Sequence, residues 1–112
     1  MKGKLYRLDS PSSEVIKKEL LSWKGVTAHE HNFASTIFYV NGLEMGHLHG
    51  DAIADLQFPK RISKKLVSDG LVSPHHVIPK SEWVSHEIQD DKDVQAVIEL
   101  FRLQYQRLTD SK

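Results

Sequence analysis

The chain of 112 residues contains no cysteine, so disulfide bonds and thiolate chemistry contribute nothing to its fold or function. It has no apolar run near the roughly 20 residues that a membrane-spanning helix requires. Its N-terminus also lacks the apolar core of a secretion signal. These absences lead us to expect a cytoplasmic protein with no membrane partner.

The chain also lacks an excess of charge of either sign, since 15 lysine and arginine residues balance 15 aspartate and glutamate residues. Nucleic acid is therefore disfavoured as a partner, because phosphate binding needs a concentrated basic face. No dinucleotide fingerprint and no P-loop is present. A chain of this length predicts a single domain, 1–112, in which residues 1–9 form an N-terminal arm.

Three segments have the patterns of helices. The first starts at Ser10 and Pro11, because serine is a good N-cap and proline fits the first helical turn. The second is predicted over 59–69. The third begins at Asp90 or Asp91 and carries the clearest apolar stripe in the chain. The members of that stripe are Val94, Val97, Ile98, Phe101, Tyr105 and Leu108.

Strand patterns occupy the segments between these helices. A strand is predicted over 26–33, three strands over 36–58, and a last strand over 82–88 with Trp83 on one face and Val84 on the other. The order of helices and strands predicts an α+β two-layer sandwich. Its sheet would be mainly antiparallel, with about five strands and with the helices packed on one face.

The three strands of 36–58 are joined by two predicted tight turns. Asn41 and Gly42 favour a type I′ hairpin turn, because both residues tolerate a positive φ angle. Gly50 and Asp51 can close a second two-residue turn of type II′. Each turn fixes which residues of the neighbouring strands lie opposite one another.

These turns give two histidines a predicted position. The first turn places His47 opposite Thr36. The second places His47 opposite Ala54 and His49 opposite Ala52. Side chains alternate along a strand, so both histidines are expected on the core face, beneath the helices, with small residues leaving room for a pocket. The same face would collect Phe38, Val40, Leu43, Met45, Leu56 and Phe58.

Asp55 is expected on the opposite face of the sheet. It would join the histidines only if a β-bulge, at Gly46 or Gly50, rotated the strand. The favoured interpretation of Asp55 is a hydrogen-bonded structural carboxylate. Asp51 lies in the second turn and can point to either face.

Three stretches of the sequence resemble a family of small, mostly bacterial proteins of unknown function that carries a luciferase-like name. They are GHLHGDAIADLQFPKRI, PHHVIPKSEWVS and ELFRLQYQRL, and the resemblance runs from about Val26 to the end of the chain. The pair Ala34-Ser35 stands where that family usually has two glycines. The succession of strand, helix, tryptophan-bearing strand and helix is also similar to the MmcQ/YjbR family. That second likeness implies a frataxin-like fold of a sheet covered by helices.

The leading hypothesis is a domain that binds a small polar ligand in a histidine-lined pocket. Its ligand-binding residues would be His47, His49, Asp51, His75, His76 and Trp83. One alternative is a small metal-dependent enzyme in which a divalent ion is held by His47, His49 and His76, since imidazoles are common metal ligands.

Two further interpretations stay open. The histidines can be polar side chains that are hydrogen-bonded at the edge of the core, with no ligand at all. The MmcQ/YjbR likeness implies a nucleic-acid or protein interaction module of the double-wing type. The pattern leaves the choice between enzyme and binding domain open, and it is compatible with a homo-oligomer.

Overall fold

The computed structural model describes residues 12–31, 35–74 and 82–110. Within these ranges the chain forms three helices and six strands. The helices are α1 (Ser12–Leu21), α2 (Lys60–Ser68) and α3 (Asp91–Thr109). The strands are β1 (Val26–His31), β2 (Ser35–Val40), β3 (Leu43–His49), β4 (Ile53–Gln57), β5 (Ser73–Pro74) and β6 (Trp83–Glu87).

The strands form one antiparallel sheet in the order β1-β2-β3-β4-β6-β5. The helices pack on this sheet, and their buried side chains join those of the strands in a single core cluster. The α+β class predicted from the sequence is confirmed. The sheet has one strand more than expected, because the short β5 pairs with β6. The likeness to the MmcQ/YjbR family stays a prediction.

The predicted bounds of α2 and the predicted start of α3 agree with the structure. Pro59 is the N-cap residue of α2, and its missing N–H costs nothing at that position. The Asp90 carboxylate caps α3 by accepting a hydrogen bond from the Asp93 amide, with 3.1 Å between the two atoms. The start of α1 that was predicted at Ser10 and Pro11 lies outside the described residues.

The hairpin between β2 and β3 begins as the sequence predicts. Asn41 and Gly42 have φ angles of 52° and 84°, and Val40 lies opposite Leu43. Leu43 does not join the core, however. It lies at the exposed start of β3 with 49% of its surface accessible, because the chain enters the core only at Met45.

A bulge then shifts the register of β3 by one residue. Tyr39 pairs with Glu44 but Phe38 pairs with Gly46, so that Met45 is an extra residue on β3. The predicted pairing of His47 with Thr36 is therefore wrong, and His47 lies opposite Ile37.

Packing against α3 explains why the bulge lies at Gly46. A Cβ atom on this glycine would lie 2.8 Å from the Asp55 carbonyl oxygen, 2.9 Å from Leu56 Cγ and 3.1 Å from Phe101 Cε1. Only a residue without a side chain allows α3 and β4 to approach this closely. The bulge therefore depends on contacts between residues far apart in sequence.

The second turn is one residue longer than predicted. Gly50, Asp51 and Ala52 form the turn, and the Ala52 amide donates to the His49 carbonyl oxygen at 3.2 Å. His49 then pairs with Ile53, and His47 pairs with Asp55. The predicted pairing of these histidines with alanines is wrong.

The two shifts together reverse the faces of the histidines. Thr36, Phe38, Leu48, Ala54 and Leu56 are buried on the side of the helices. His47 and His49 alternate with Leu48, and they lie on the other side of the sheet, which is called the outer face below. The predicted pocket beneath the helices is therefore not formed by these residues.

Candidate functional site

Direct cross-strand partners form a row on the outer face. Ile37 lies opposite His47, His47 opposite Asp55, and Asp55 opposite Ser85. Since directly paired residues share a face, the row crosses the strands β2, β3, β4 and β6, and His29 on the edge strand β1, opposite Ile37, continues it away from His47. The register shift is what brings Asp55 to the side of the histidines, as the sequence analysis expected of a bulge.

A line of hydrogen bonds runs through His49 and Asp55. His49 Nε2 lies 2.9 Å from Asp55 Oδ2, and His49 Nδ1 lies 3.2 Å from the Ser35 hydroxyl oxygen. The Ser85 hydroxyl donates to Asp55 Oδ1 at 2.5 Å. The Asp55 side chain is 2% exposed, and the His49 side chain is 38% exposed. A buried carboxylate thus holds a ring that the solvent reaches.

His47 joins this line to an aromatic surface. Its ring centroid lies 5.9 Å from that of His49 and 5.1 Å from that of Trp83, and the second pair is tilted by 53°. Its Nε2 atom is hydrogen-bonded to the Glu44 carboxylate. These distances are within the range at which aromatic rings contact one another. The rings of His49, His47 and Trp83 therefore form one continuous surface, called the ring row below.

An open cleft of about 480 Å³ lies beside the ring row. Trp83 belongs to both the ring row and the cleft wall, and the wall also contains Glu44, the hydrogen-bond partner of His47. Gln57, Glu82 and Arg107 supply the other polar groups of the wall. The Arg107 Nε atom donates to Gln104 Oε1 at 2.9 Å, which fixes the base of the guanidinium. The cleft therefore offers a flat ring, an amide and charges of both signs.

The structure brings together three of the residues predicted for the site, namely His47, His49 and Trp83. Asp51 lies elsewhere, since its Oδ1 atom accepts a hydrogen bond of 2.7 Å from the Ser13 amide at the start of α1. His75 and His76 lie outside the described residues, and their role stays a prediction.

The described part of the chain contains no group of three or more His, Asp or Glu side chains arranged to hold a metal ion. The metal set His47, His49 and His76 stays a prediction because His76 is not described. Both ring nitrogens of His49 are already hydrogen-bonded to protein groups. No helix in the ranges described here is long and apolar enough to cross a membrane.

Ser35, Ser85 and Glu44 are site residues that were not predicted from the sequence. Ser85 was open to detection, because it follows Trp83 by two positions and must share its face of the strand. Ser35 and Glu44 depend on the register of β2 against β3, which the bulge changes. Nothing in the sequence alone placed them beside His49 and His47.

A family model described as Luciferase domain matches residues 42–104, which are 63 of the 112 residues. The chain belongs to the luciferase domain family. The segment that matches the luciferase domain begins in the Asn41-Gly42 turn and ends in α3. It contains His47, His49, Asp55, Trp83 and Ser85 but not Ser35. No curated protein and no solved structure matches the chain.

Proposed function

We propose that this luciferase domain binds a flat, polar small molecule in the open cleft where the ring row ends at Trp83. The observation that carries the proposal is the contact between His47 and Trp83 at the edge of the cleft. Two adjacent rings beside an open volume offer a stacking surface to a planar ligand. Ring stacking on tryptophan favours such ligands by about 1 kcal/mol beyond the area that is buried.

The dimensions and chemistry of the cleft support a small molecule over a macromolecule. Its volume of about 480 Å³ falls within the range of roughly 300–1,000 Å³ that is usual for ligand sites. Arg107, Gln57 and Glu82 supply a few directional polar groups around the Trp83 ring. A ligand with polar groups at the edge of a flat ring would satisfy both parts of the wall.

The family description, Luciferase domain, specifies no ligand, so the choice between a binding domain and a metal-dependent enzyme depends on the site itself. The metal-dependent enzyme would require His76 beside His47 and His49, and metal analysis of protein purified without a histidine tag tests it. Cytoplasmic location and self-association remain predictions from the sequence.

Tryptophan fluorescence tests the proposal, because the chain has only two tryptophans. A Trp23→Phe variant leaves Trp83 as the single reporter. Titration with a library of flat heteroaromatic fragments is expected to quench Trp83 with dissociation constants of about 1 mM or below, which corresponds to roughly −4 kcal/mol.

A pair of histidine variants provides the control. In the Trp23→Phe background, His47→Ala is expected to weaken fragment binding at least about fivefold, the equivalent of roughly 1 kcal/mol of stacking. His29→Ala removes a histidine that contacts Tyr39 on β1 and β2 instead, and it should leave the affinity unchanged. Absence of any quenching, or equal effects of the two variants, would contradict the proposal.

A further inference from the structure

We propose that His49 is a general base and that Asp55 is its positioning residue. The substrate class is a flat small molecule with a weakly acidic proton, bound along the ring row. The inference rests on the proposed function, because the same surface must bind the molecule. It goes further by assigning a reaction class, proton abstraction, and the atom that receives the proton, His49 Nδ1.

The hydrogen bonds fix where the protons lie in this line. A carboxylate only accepts, so Asp55 accepts from the Ser85 hydroxyl and from His49 Nε2. The neutral His49 ring therefore carries its proton on Nε2, and the lone pair is on Nδ1. That lone pair faces the Ser35 hydroxyl, which can donate to it. A base needs this arrangement, with one nitrogen held by a carboxylate and the other available to a proton donor.

Burial differs between the two partners in the way a base requires. The Asp55 carboxylate is almost completely enclosed, so its bond to His49 lies in a medium of low dielectric constant and is strengthened. The His49 ring remains more than one-third exposed. The enclosed carboxylate stabilises the imidazolium that forms when the ring accepts a proton.

The Ser35 hydroxyl occupies the position in which the substrate's acidic group would lie. Its hydroxyl is the donor that lies 3.2 Å from His49 Nδ1 in this structure. It lies outside the segment that matches the luciferase domain, whereas His49 and Asp55 lie within it. A ligand donor that displaces this hydroxyl would make the same hydrogen bond. We therefore assign the base to His49 and Asp55, without a serine nucleophile.

The ring row determines which molecules reach this base. Trp83 and His47 contact one another, and His47 is in turn the neighbour of His49. The His47 ring is tilted by 53° against Trp83 and by 74° against His49, so a planar molecule stacked on one of these rings would meet the next ring with its edge. Flat carbon acids and ring-bound hydroxyl groups have an acidic proton at such an edge.

Nitrobenzisoxazole is a suitable probe because it is flat and loses a carbon-bound proton to any well-placed base. The C–H bond breaks, and the proton moves to His49 Nδ1. The electron pair forms the nitrile, the N–O bond breaks, and the leaving electrons form a coloured phenolate. The imidazolium then returns its proton to water, so no oxidant or further reactant is required.

The test compares two histidine variants in this elimination. His49→Gln is expected to lower kcat at least about tenfold, a conservative value for the loss of a general base. His29→Gln alters an exposed histidine that contacts Tyr39 and should retain the full rate. Equal rates in wild type and His49→Gln overturn the inference, whether or not the probe binds. Quenching of Trp83 then shows separately whether the proposed function stands.

The positioning role of Asp55 is tested by a property that the loss of a purely structural residue would leave unchanged. Asp55→Asn should lower kcat about tenfold without changing KM. Long-range ¹⁵N–¹H spectra should show the His49 proton on Nε2 in the wild type and a mixture of both tautomers in the variant. Ser35→Ala removes the hydroxyl that competes with the substrate for His49 Nδ1, so it should raise the rate, and it removes no buried group. A fall to the level of His49→Gln would mean that Ser35 is the reacting group and would overturn the assignment.

Discussion

At the scale of single residues, two histidine–aspartate pairs differ in the hydrogen-bond partner of the histidine nitrogen that does not contact the aspartate. His86 Nε2 lies 2.8 Å from Asp93 Oδ1, and its Nδ1 lies 2.8 Å from the Leu71 carbonyl oxygen. Both partners of His86 only accept hydrogen bonds. His49 instead faces a carboxylate on one side and a hydroxyl donor on the other. Of these two rings, it is His49 that has a lone pair in line with a proton donor.

The His86–Asp93 pair gives a prediction about stability and pH. Burial alone would raise the pKa of Asp93, but hydrogen bonds from the Gln89 amide and the His86 ring outweigh it and hold this pKa below its ordinary value. A lowered pKa stabilises the fold above the unfolded value of about 3.9, and this stabilisation is lost as the pH falls through the folded pKa. Asp93→Asn should therefore lower Tm at pH 7.

The difference in Tm between Asp93→Asn and wild type should shrink as the pH falls through the lowered pKa of Asp93, where the wild type loses this charge as well. Thermal unfolding followed by circular dichroism at several pH values measures it. Asp69→Asn is the control, because its exposed pair with Lys65 is of a kind worth at most about 1 kcal/mol. A difference that grows towards low pH would contradict the account.

The residue types of the site were predictable, but their positions were not. The dense histidine pattern identified His47 and His49, and period-two alternation placed Trp83 on its face. The side of the sheet on which the histidines lie depends on one extra residue, Met45. Packing against α3 decides between a regular strand pairing and a bulge. This packing joins residues far apart in the sequence, so the residues around Met45 do not reveal it.

At the scale of elements, α3 and the bulge stabilise each other. Gln104 lies in the buried face of α3 and is 1% exposed. Its Nε2 atom donates to the Met45 carbonyl at 3.0 Å and to the Gln57 carbonyl at 2.8 Å. The backbone groups that the bulge leaves without sheet partners can in this way be paired by a helix side chain. Gln104 follows Phe101 by three positions, so its place on the buried stripe was readable from the sequence.

Gly46→Ala tests the close approach at the bulge. The added Cβ would meet a backbone carbonyl that cannot move aside easily, so we expect a loss of about 3 kcal/mol, the upper end for overpacking. Gly42→Ala is the control, because a Cβ there meets nothing within 4 Å and costs only about 1 kcal/mol for its left-handed backbone. Urea denaturation measures both. Equal losses would show that space at position 46 is not limiting.

Gln104→Leu tests the hydrogen bonds from α3 to the sheet. The substitution removes the donor to one buried and one partly buried carbonyl oxygen, so it should cost about 2 kcal/mol in the free energy of unfolding. Gln106→Leu makes the same change at an exposed position of α3 and should stay within about 0.5 kcal/mol of wild type. If the two variants are equally stable, the Gln104 bonds do not support the bulge.

Among the elements, those with strong local signals were predicted well. The Asn41-Gly42 turn, the capped start of α3 and the ends of α2 follow from residues adjacent in sequence. The second turn failed because Gly50 and Asp51 fit both a two-residue and a three-residue connection. The length of this turn follows from the pairing of β3 with β4. That pairing depends in turn on the one-residue register shift at Met45.

At the scale of the whole molecule, the second turn also holds α1. Asp51 Oδ1 accepts from the Ser13 amide, and an ion pair of 2.8 Å joins Lys17 of α1 to Glu30 of β1. The Tyr105 hydroxyl donates to the Lys24 carbonyl at 2.7 Å, which ties α3 to the segment after α1. These contacts join α1 and α3 to the face of the sheet opposite the ring row.

Asp51→Ala separates this structural role from the ligand role predicted for Asp51. Loss of the bond to the first turn of α1 should cost about 1 kcal/mol, as for other helix caps. Fragment binding at Trp83 should stay unchanged. Thermal unfolding and fluorescence titration of the same variant measure the two effects. A weaker affinity for the fragments at unchanged stability would show that Asp51 is a ligand-binding residue.

The proposed binding surface and base both require that the histidine rings lie on the face of the sheet away from the helices. Nuclear Overhauser effects from the ring protons of His47 test this requirement most directly. The account predicts cross-peaks from His47 to the indole protons of Trp83, whose ring centroid lies 5.1 Å away. Cross-peaks from His47 to the ring of Phe101, in the core beneath α3, would place the histidine on the other face and contradict the account.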